Sequence, residues 1–277
     1  MFILKRFMSI LAVVMMAAGL SLIIYPGVSS WWRDRVQTGV ANAYYQNAAL
    51  LCQYEKYEHL QRATAHNDDL RRLNELGVLL LGYRAVLPED YKQILNVDGV
   101  MARLEIPKIN LDLPVLHGTY GDTMQNGVGH LEGTAFPTGG YGTHAVLTTH
   151  SGFTGARLFS YLHNVEIDDL FYITVLGQRL VYQVDQIEIV LPHEIELLRV
   201  IPSADVVTLI TCTPIAVNTH RLLVRGSRVA YVPYVPELII EAEAMIIDRE
   251  ISLWGGVAAL VVIVIAKLGA VKLRHAA

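Results

Sequence analysis

The chain has 277 residues, 53% of them hydrophobic and 17% charged, with a formal net charge of -4. An ordinary soluble domain is roughly 25% charged, so a disordered, solvating chain is excluded, and an acidic balance does not mark a nucleic-acid binder. Two cysteines exclude a disulfide framework and an all-cysteine zinc site, while a mean hydropathy of +0.37 is high for a soluble protein.

The apolar excess lies at the two ends. Phe7 to Tyr25 is an uncharged run of 19 residues, and Ile251 to Ala266 is a second of 16. About 20 helical residues cross a bilayer core, and Lys267 at the end of the second run can snorkel. The first run is longer than the 7–15 residues usual for a signal-peptide core and lacks a small-x-small cleavage site before Pro26. An uncleaved anchor is therefore expected, with a cleaved signal peptide as the alternative, and a second span at the C-terminus. Lys5, Arg6, Lys267, Lys272 and Arg274 make both tails basic, which by the positive-inside rule leaves the middle outside the cytoplasm. Residues 26–250 then hold 17 basic against 26 acidic side chains, a net of -9.

Residues 29–97 read as helix, interrupted by a polar stretch at Thr64 to Asp69; Pro88 is the only proline between Pro26 and Pro107. This segment is expected to be a stalk or a lid-like element packed on the β-rich region C-terminal to it. From Val100 short apolar runs alternate with Gly, Pro and Asn. Eight strands are expected: Met101–Ile106, Leu113–Leu116, His144–Thr149, Leu170–Val175, Arg179–Val190, Val206–Thr211, Arg221–Arg225 and Val229–Val232. Such close spacing indicates an all-β barrel or sandwich. Arg157 to Leu162 is expected as a short helix.

The chemistry concentrates in Thr208-Leu-Ile-Thr-Cys212-Thr-Pro214 and Asn218-Thr-His220-Arg221. A β-run ends in Cys212, and the next opens with Arg221, which brings both to one rim. A thiolate there is a nucleophile, and a guanidinium beside it lowers its pKa or holds a developing oxyanion. The histidine partner is sought in another strand-end loop, and His150 in Leu147-Thr-Thr-His150-Ser-Gly152 fits. Taken alone, each residue has a blander reading, a buried small hydrophobe for the cysteine and a structural or solvated group for the others.

The stretch resembles the sortase signature, in which Thr-x-Thr-Cys at a strand end is followed by an arginine on the next strand and Thr-x-His supplies the histidine. Leu104-Glu-Ile-Pro-Lys-Ile109, Leu113-Pro-Val-Leu-His-Gly-Thr119, Gly127-Val-Gly-His-Leu-Glu-Gly-Thr134 and Asn218-Thr-His-Arg-Leu-Leu-Val-Arg-Gly226 resemble, in order, the class C, pilin-polymerising branch. The resemblance implies an eight-stranded sortase-type β-barrel with an N-terminal helical segment and a transmembrane helix at each end. The layout is then an anchor (1–25), a helical stalk or lid-like segment (26–97), the catalytic barrel (98–235), a linker (236–250) and a C-terminal span with its basic tail (251–277). It further implies Cys212 as nucleophile, His150 as acid/base and Arg221 as oxyanion or substrate-binding group; Thr211, Asn218 and His220 are candidate substrate contacts, His220 being read first as scaffolding of the motif. The expected reaction is transpeptidation of an LPXTG-like sorting signal through a thioester, resolved by a lysine amine of another pilin, with no metal or organic cofactor. Anchoring of surface proteins to cell-wall peptide, a thiol hydrolase and an inactive scaffold are the alternatives. His117, His130 and His144 are expected to be structural, Arg225 and Arg228 salt-bridged or solvated, and Cys52 inert and not disulfide-bonded. The branch's usual Asp-Pro-aromatic lid motif is absent, since Leu87 precedes Pro88 and Glu89 follows it.

Overall fold

A computed structural model describes residues 2–75, 88–153 and 155–230. Two long helices come first, α1 (Phe2–Leu50) and α2 (Gln53–Glu75), and a short helix α3 (Thr123–Asn126) follows later. Eight strands are formed: β1 (Val100–Ile106), β2 (Leu111–His117), β3 (Val128–His130), β4 (Thr143–Thr148), β5 (Leu170–Val175), β6 (Gln178–Val190), β7 (Asp205–Thr213) and β8 (His220–Val229). They close into a barrel in the order β1-β2-β3-β4-β7-β8-β6-β5. Closure removes every exposed sheet edge, so no strand needs protection from a neighbouring chain.

The all-β expectation holds, but the eight strands are not quite the eight expected. β3 is a three-residue strand pairing parallel to β2, too short and too glycine-rich to show alternation. The two runs expected at Arg221–Arg225 and Val229–Val232 are one strand up to Val229. Gly226 does not break it: a Cβ there would collide with the Phe171 ring, so glycine lets β8 pass close over the core. The stretch expected as a helix at Arg157–Leu162 is turns, with one 3₁₀ turn at Leu162–Asn164. The run from Ile251, expected as a second span, lies outside the described residues. Among them, one helix, α1, is long and apolar enough to cross a membrane.

Pro26 does not end α1, which continues past the apolar run as one helix to Leu50. Its outer half then lies on the barrel through Gln37, Ala41, Tyr44 and Ala48, one face at helical spacing. The alanines allow close approach, and Tyr44 spans the seam. Its hydroxyl donates to the Met101 carbonyl at 3.0 Å and accepts from the Leu176 N–H at 2.9 Å. Burial pushes that phenol up to about 12. The helix breaks at Leu51–Cys52, where Glu55 accepts the Cys52 N–H and the Cys52 thiol accepts the Glu55 N–H. That is a capping box with sulfur in place of a hydroxyl.

The polar stretch Thr64–Asp69 remains helical within α2, because its polar residues are satisfied on the inner face. Asn67 gives its amide to the Phe136 carbonyl at 3.1 Å and takes the Phe136 N–H at 2.8 Å. The outer half of α1 and the inner face of α2 thus lie against the barrel.

Three histidines act as internal struts. His130 accepts the Tyr91 hydroxyl at Nδ1 (2.8 Å) and donates to the Ala135 carbonyl from Nε2 (2.9 Å). His144 donates from Nδ1 to the Arg199 carbonyl (2.8 Å) and accepts the Thr208 hydroxyl at Nε2 (2.7 Å). His117 bonds the Ile94 carbonyl through Nε2 at 2.8 Å. Burial holds His130 down at about 3 and His144 at about 4, so both are neutral in the folded chain. The unfolded chain takes up these protons near pH 6.5, so their contribution to stability is complete above that pH and is lost as pH falls toward 4. His144 alone then removes about 3 kcal/mol. The melting temperature is expected to be flat above pH 7 and to fall steadily below 6.5; a flat profile down to pH 4.5 would contradict this assignment.

Candidate active site

The site forms where three strands end together. β4 runs parallel to β7, with Thr148 opposite Ile210, and β7 runs antiparallel to β8, with Cys212 opposite Arg221. Directly opposed residues share a face with Cβ atoms about 5 Å apart. Alternation along β7 places Thr208, Ile210 and Cys212 on one face. The same rule groups Arg221 with Leu223 on β8, and His144, Val146 and Thr148 on β4. Val146, Ile210 and Leu223 cluster with Leu198, whereas Val207, Leu209, Leu222 and Val224 belong to the barrel's main core. Cys212 and Arg221 therefore stand on the outer face, at the end of an apolar floor.

His150 is two residues beyond the last pair of β4 and β7, level with Cys212 in the continued register. One backbone and two side-chain hydrogen bonds extend the junction past the ladder. The Thr149 N–H reaches the Ile210 carbonyl at 3.3 Å, the Thr211 hydroxyl donates to the Thr149 carbonyl at 2.8 Å, and the Ser151 hydroxyl donates to the Cys212 carbonyl. The neighbours of His150 on either side are thereby tied to Cys212 and to the residue before it. Gly152 adopts φ +66°, and a Cβ there would collide with Cγ2 of Ile215, so the turn after His150 closes onto the β7–β8 loop.

Each candidate residue has a definite place. Cys212 is half-buried and is a free thiol, as is the exposed Cys52. The His150 ring stacks on Phe153, centroids 5.6 Å apart and planes 15° off parallel. Arg221 lays Nη1 on the Asn218 and His220 carbonyls, both at 3.1 Å. Asn218 has φ 61°, a left-handed conformation that asparagine tolerates well. His220 shares a 2.9 Å hydrogen bond with the Thr219 hydroxyl. Thr211 is buried, and its hydroxyl is committed to Thr149. Arg225 is held by a two-pronged ion pair to Asp185 (2.9 and 3.1 Å), and Arg228 lies over the Tyr182 ring. Among the described residues, no three His, Cys, Asp or Glu side chains gather as metal ligands would.

The positioning groups around His150 are only partly apparent from sequence. Ser151 sits beside His150, and its short hydroxyl is a local signal for a side-chain-to-backbone bond. No sequence signal marks the contacts from α1. Arg33 places its guanidinium 5.7 Å from the Phe153 centroid, and Asp34 binds Arg157 at 3.0 Å. Burial pushes the Asp34 carboxyl up, against the pull of Arg157.

The Sortase domain family model matches residues 104–229. Sortase A of Streptococcus agalactiae serotype III (strain NEM316) is 28% identical over 131 residues, 46% of this chain and 52% of that protein. The chain thus spans about half the length of this curated relative. Solved structures are more similar. Sortase C1 of GBS Pilus Island 1 is 40% identical, with a TM-score of 0.65 over 72% of this chain and 95% of that one. Sortase C-1 of Streptococcus pneumoniae is 37% identical, with a TM-score of 0.63 over 70% and 100% respectively. Ordered motifs, a barrel closed in this strand order and these likenesses agree: the chain belongs to the sortase family, in its class C branch.

Proposed function

We propose that this protein is a membrane-anchored transpeptidase that cleaves an LPXTG-like sorting signal of pilin subunits and joins the freed acyl group to a lysine amine of another pilin. The observation carrying this reading is the β7–β8 register that pairs Cys212 with Arg221, beside a β4 end that brings His150 level with both.

The Cys212 sulfur, as thiolate, attacks the Thr–Gly carbonyl of the sorting signal, and its oxygen becomes an oxyanion beside Arg221. A guanidinium at that point stabilises charge that exists only in the transition state. Collapse of the intermediate breaks the C–N bond as His150 gives a proton to the departing glycine amine, leaving a thioester on Cys212. The incoming lysine amine attacks that thioester, His150 takes its proton, and the Cys212 thiolate leaves. The bonds Ser151–Cys212 and Thr211–Thr149 support this reading by fixing how far the base stands from the nucleophile. Asn218 serves by shaping the loop whose carbonyls hold Arg221. The apolar N-terminal half of α1 is the anchor, and the barrel lies outside the cytoplasm.

The test is incubation of the full chain in detergent with an LPXTG-type peptide and a lysine-bearing pilin peptide, followed by mass spectrometry. A joined product supports the reading. Transfer to water alone identifies a thiol hydrolase, and, in a parallel reaction that also contains an oligoglycine amine, transfer only to that amine identifies an anchoring enzyme.

A further inference from the structure

The direction of α1 along the barrel is fixed by its contacts. Tyr44 bonds Met101 and Leu176, and Asn47 bonds Asp98, all at the end where β1 begins and β5 turns into β6. Arg33 and Asp34 contact Phe153 and Arg157, in the connection that follows His150. The helix therefore enters at the end of the barrel that carries Cys212, and its apolar N-terminal half projects beyond that end.

Tyr25, Trp31 and Trp32 are exposed at the junction. Tyrosine and tryptophan collect at the headgroup level of a bilayer. Arg33 follows Trp32 directly and stands about 12 Å along the axis from Tyr25 at 1.5 Å per residue. Trp31 and Trp32 therefore stand at the level of Phe153 and Arg157, with Tyr25 farther along the helix toward its apolar end.

The barrel surface gives a second, independent observation. β1 ends, β5 begins, β6 ends and β8 begins at the Cys212 end. Tyr161, Ile167, Leu170, Ile189, Leu191, Ile215 and Val217, all exposed, lie there. On the barrel itself the opposite end exposes Tyr120 and Tyr141 among the described residues, and the C-terminal end of α1 adds Tyr45 and Leu50 beside Asp98. The barrel's own exposed aliphatic side chains thus gather at the Cys212 end, and a contiguous apolar rim of this kind marks an interaction surface.

We propose that the Cys212 end of the barrel rests on the lipid surface, with Ile167, Ile215 and Val217 among its contacts in the headgroup layer, so that the catalytic thiol works at the membrane plane. This inference rests on α1 being a membrane anchor.

The test uses the full chain in nanodiscs of phosphatidylcholine and phosphatidylglycerol, part of the lipid brominated near the top of the acyl chain. In a Cys52→Ser, Cys212→Ala background, one fluorophore is attached through Ile167→Cys, Val217→Cys, Tyr141→Cys or Val13→Cys. Loss of emission with brominated lipid is expected at positions 13, 167 and 217, and unchanged emission at 141. If position 13 is quenched while 167 and 217 behave like 141, the anchor stands and the inference is overturned. If position 13 is not quenched either, the anchor reading fails and the inference fails with it.

Discussion

The Cys212→Ala protein is expected to neither cleave a sorting peptide nor join it to an amine, a loss on the order of 10⁶-fold where the assay reaches that far. In the proposed mechanism the sulfur is the atom to which the acyl group is attached, so no neighbouring group replaces it. Water offers no such route, because only covalent attachment preserves the acyl group's reactivity until an amine arrives. The substitution removes one half-buried atom at the rim, outside the barrel's main core. The backbone carbonyl that accepts the Ser151 hydroxyl is retained, so the junction between β4 and β7 persists. An unchanged melting temperature with lost turnover separates chemistry from folding. A Cys52→Ser protein, altered at the cap of α2, should keep its turnover.

His150→Gln is expected to lower turnover by about 10²- to 10⁴-fold, the usual worth of a positioned acid and base. Glutamine keeps a polar group at the position but neither donates a proton to a departing amine nor accepts one from an incoming amine. An amine is a poor leaving group without that proton, so formation of the thioester should slow most. An ester analogue of the sorting peptide, whose alcohol departs more readily, should lose less. Equal losses on amide and ester would instead indicate that His150 only shapes the loop stacked on Phe153.

Much of this site is legible in the sequence because β-structure is written in short range. Cys212 at the end of one apolar run and Arg221 at the start of the next imply a hairpin, and a hairpin implies a shared rim. The placement of His150 follows less directly, since its level with Cys212 depends on a parallel pairing between strands some 60 residues apart. The family resemblance supplied that link. What the sequence did not disclose is long-range or irregular. β3 is three residues long, and its hydrogen bonds rather than its composition make it a strand. Gly226 reads as a break because glycine usually is one, yet the nearness of the Phe171 ring makes it a strand residue. The contacts of Arg33 and Asp34 join positions more than a hundred residues apart, and no local pattern encodes them. Thr211 illustrates a shared position in a motif whose hydroxyl is spent on the fold, through Thr149.

A thioester on Cys212 can be trapped. The full chain is mixed with an LPXTG-type peptide without an amine acceptor, quenched in acid within the first turnovers, digested and analysed by mass spectrometry. The expected result is the acyl fragment's mass on the peptide that contains Cys212, removed by hydroxylamine and absent from the Cys212→Ala protein. An active enzyme that shows the adduct on Cys52, or turns over with no adduct at Cys212, would contradict it.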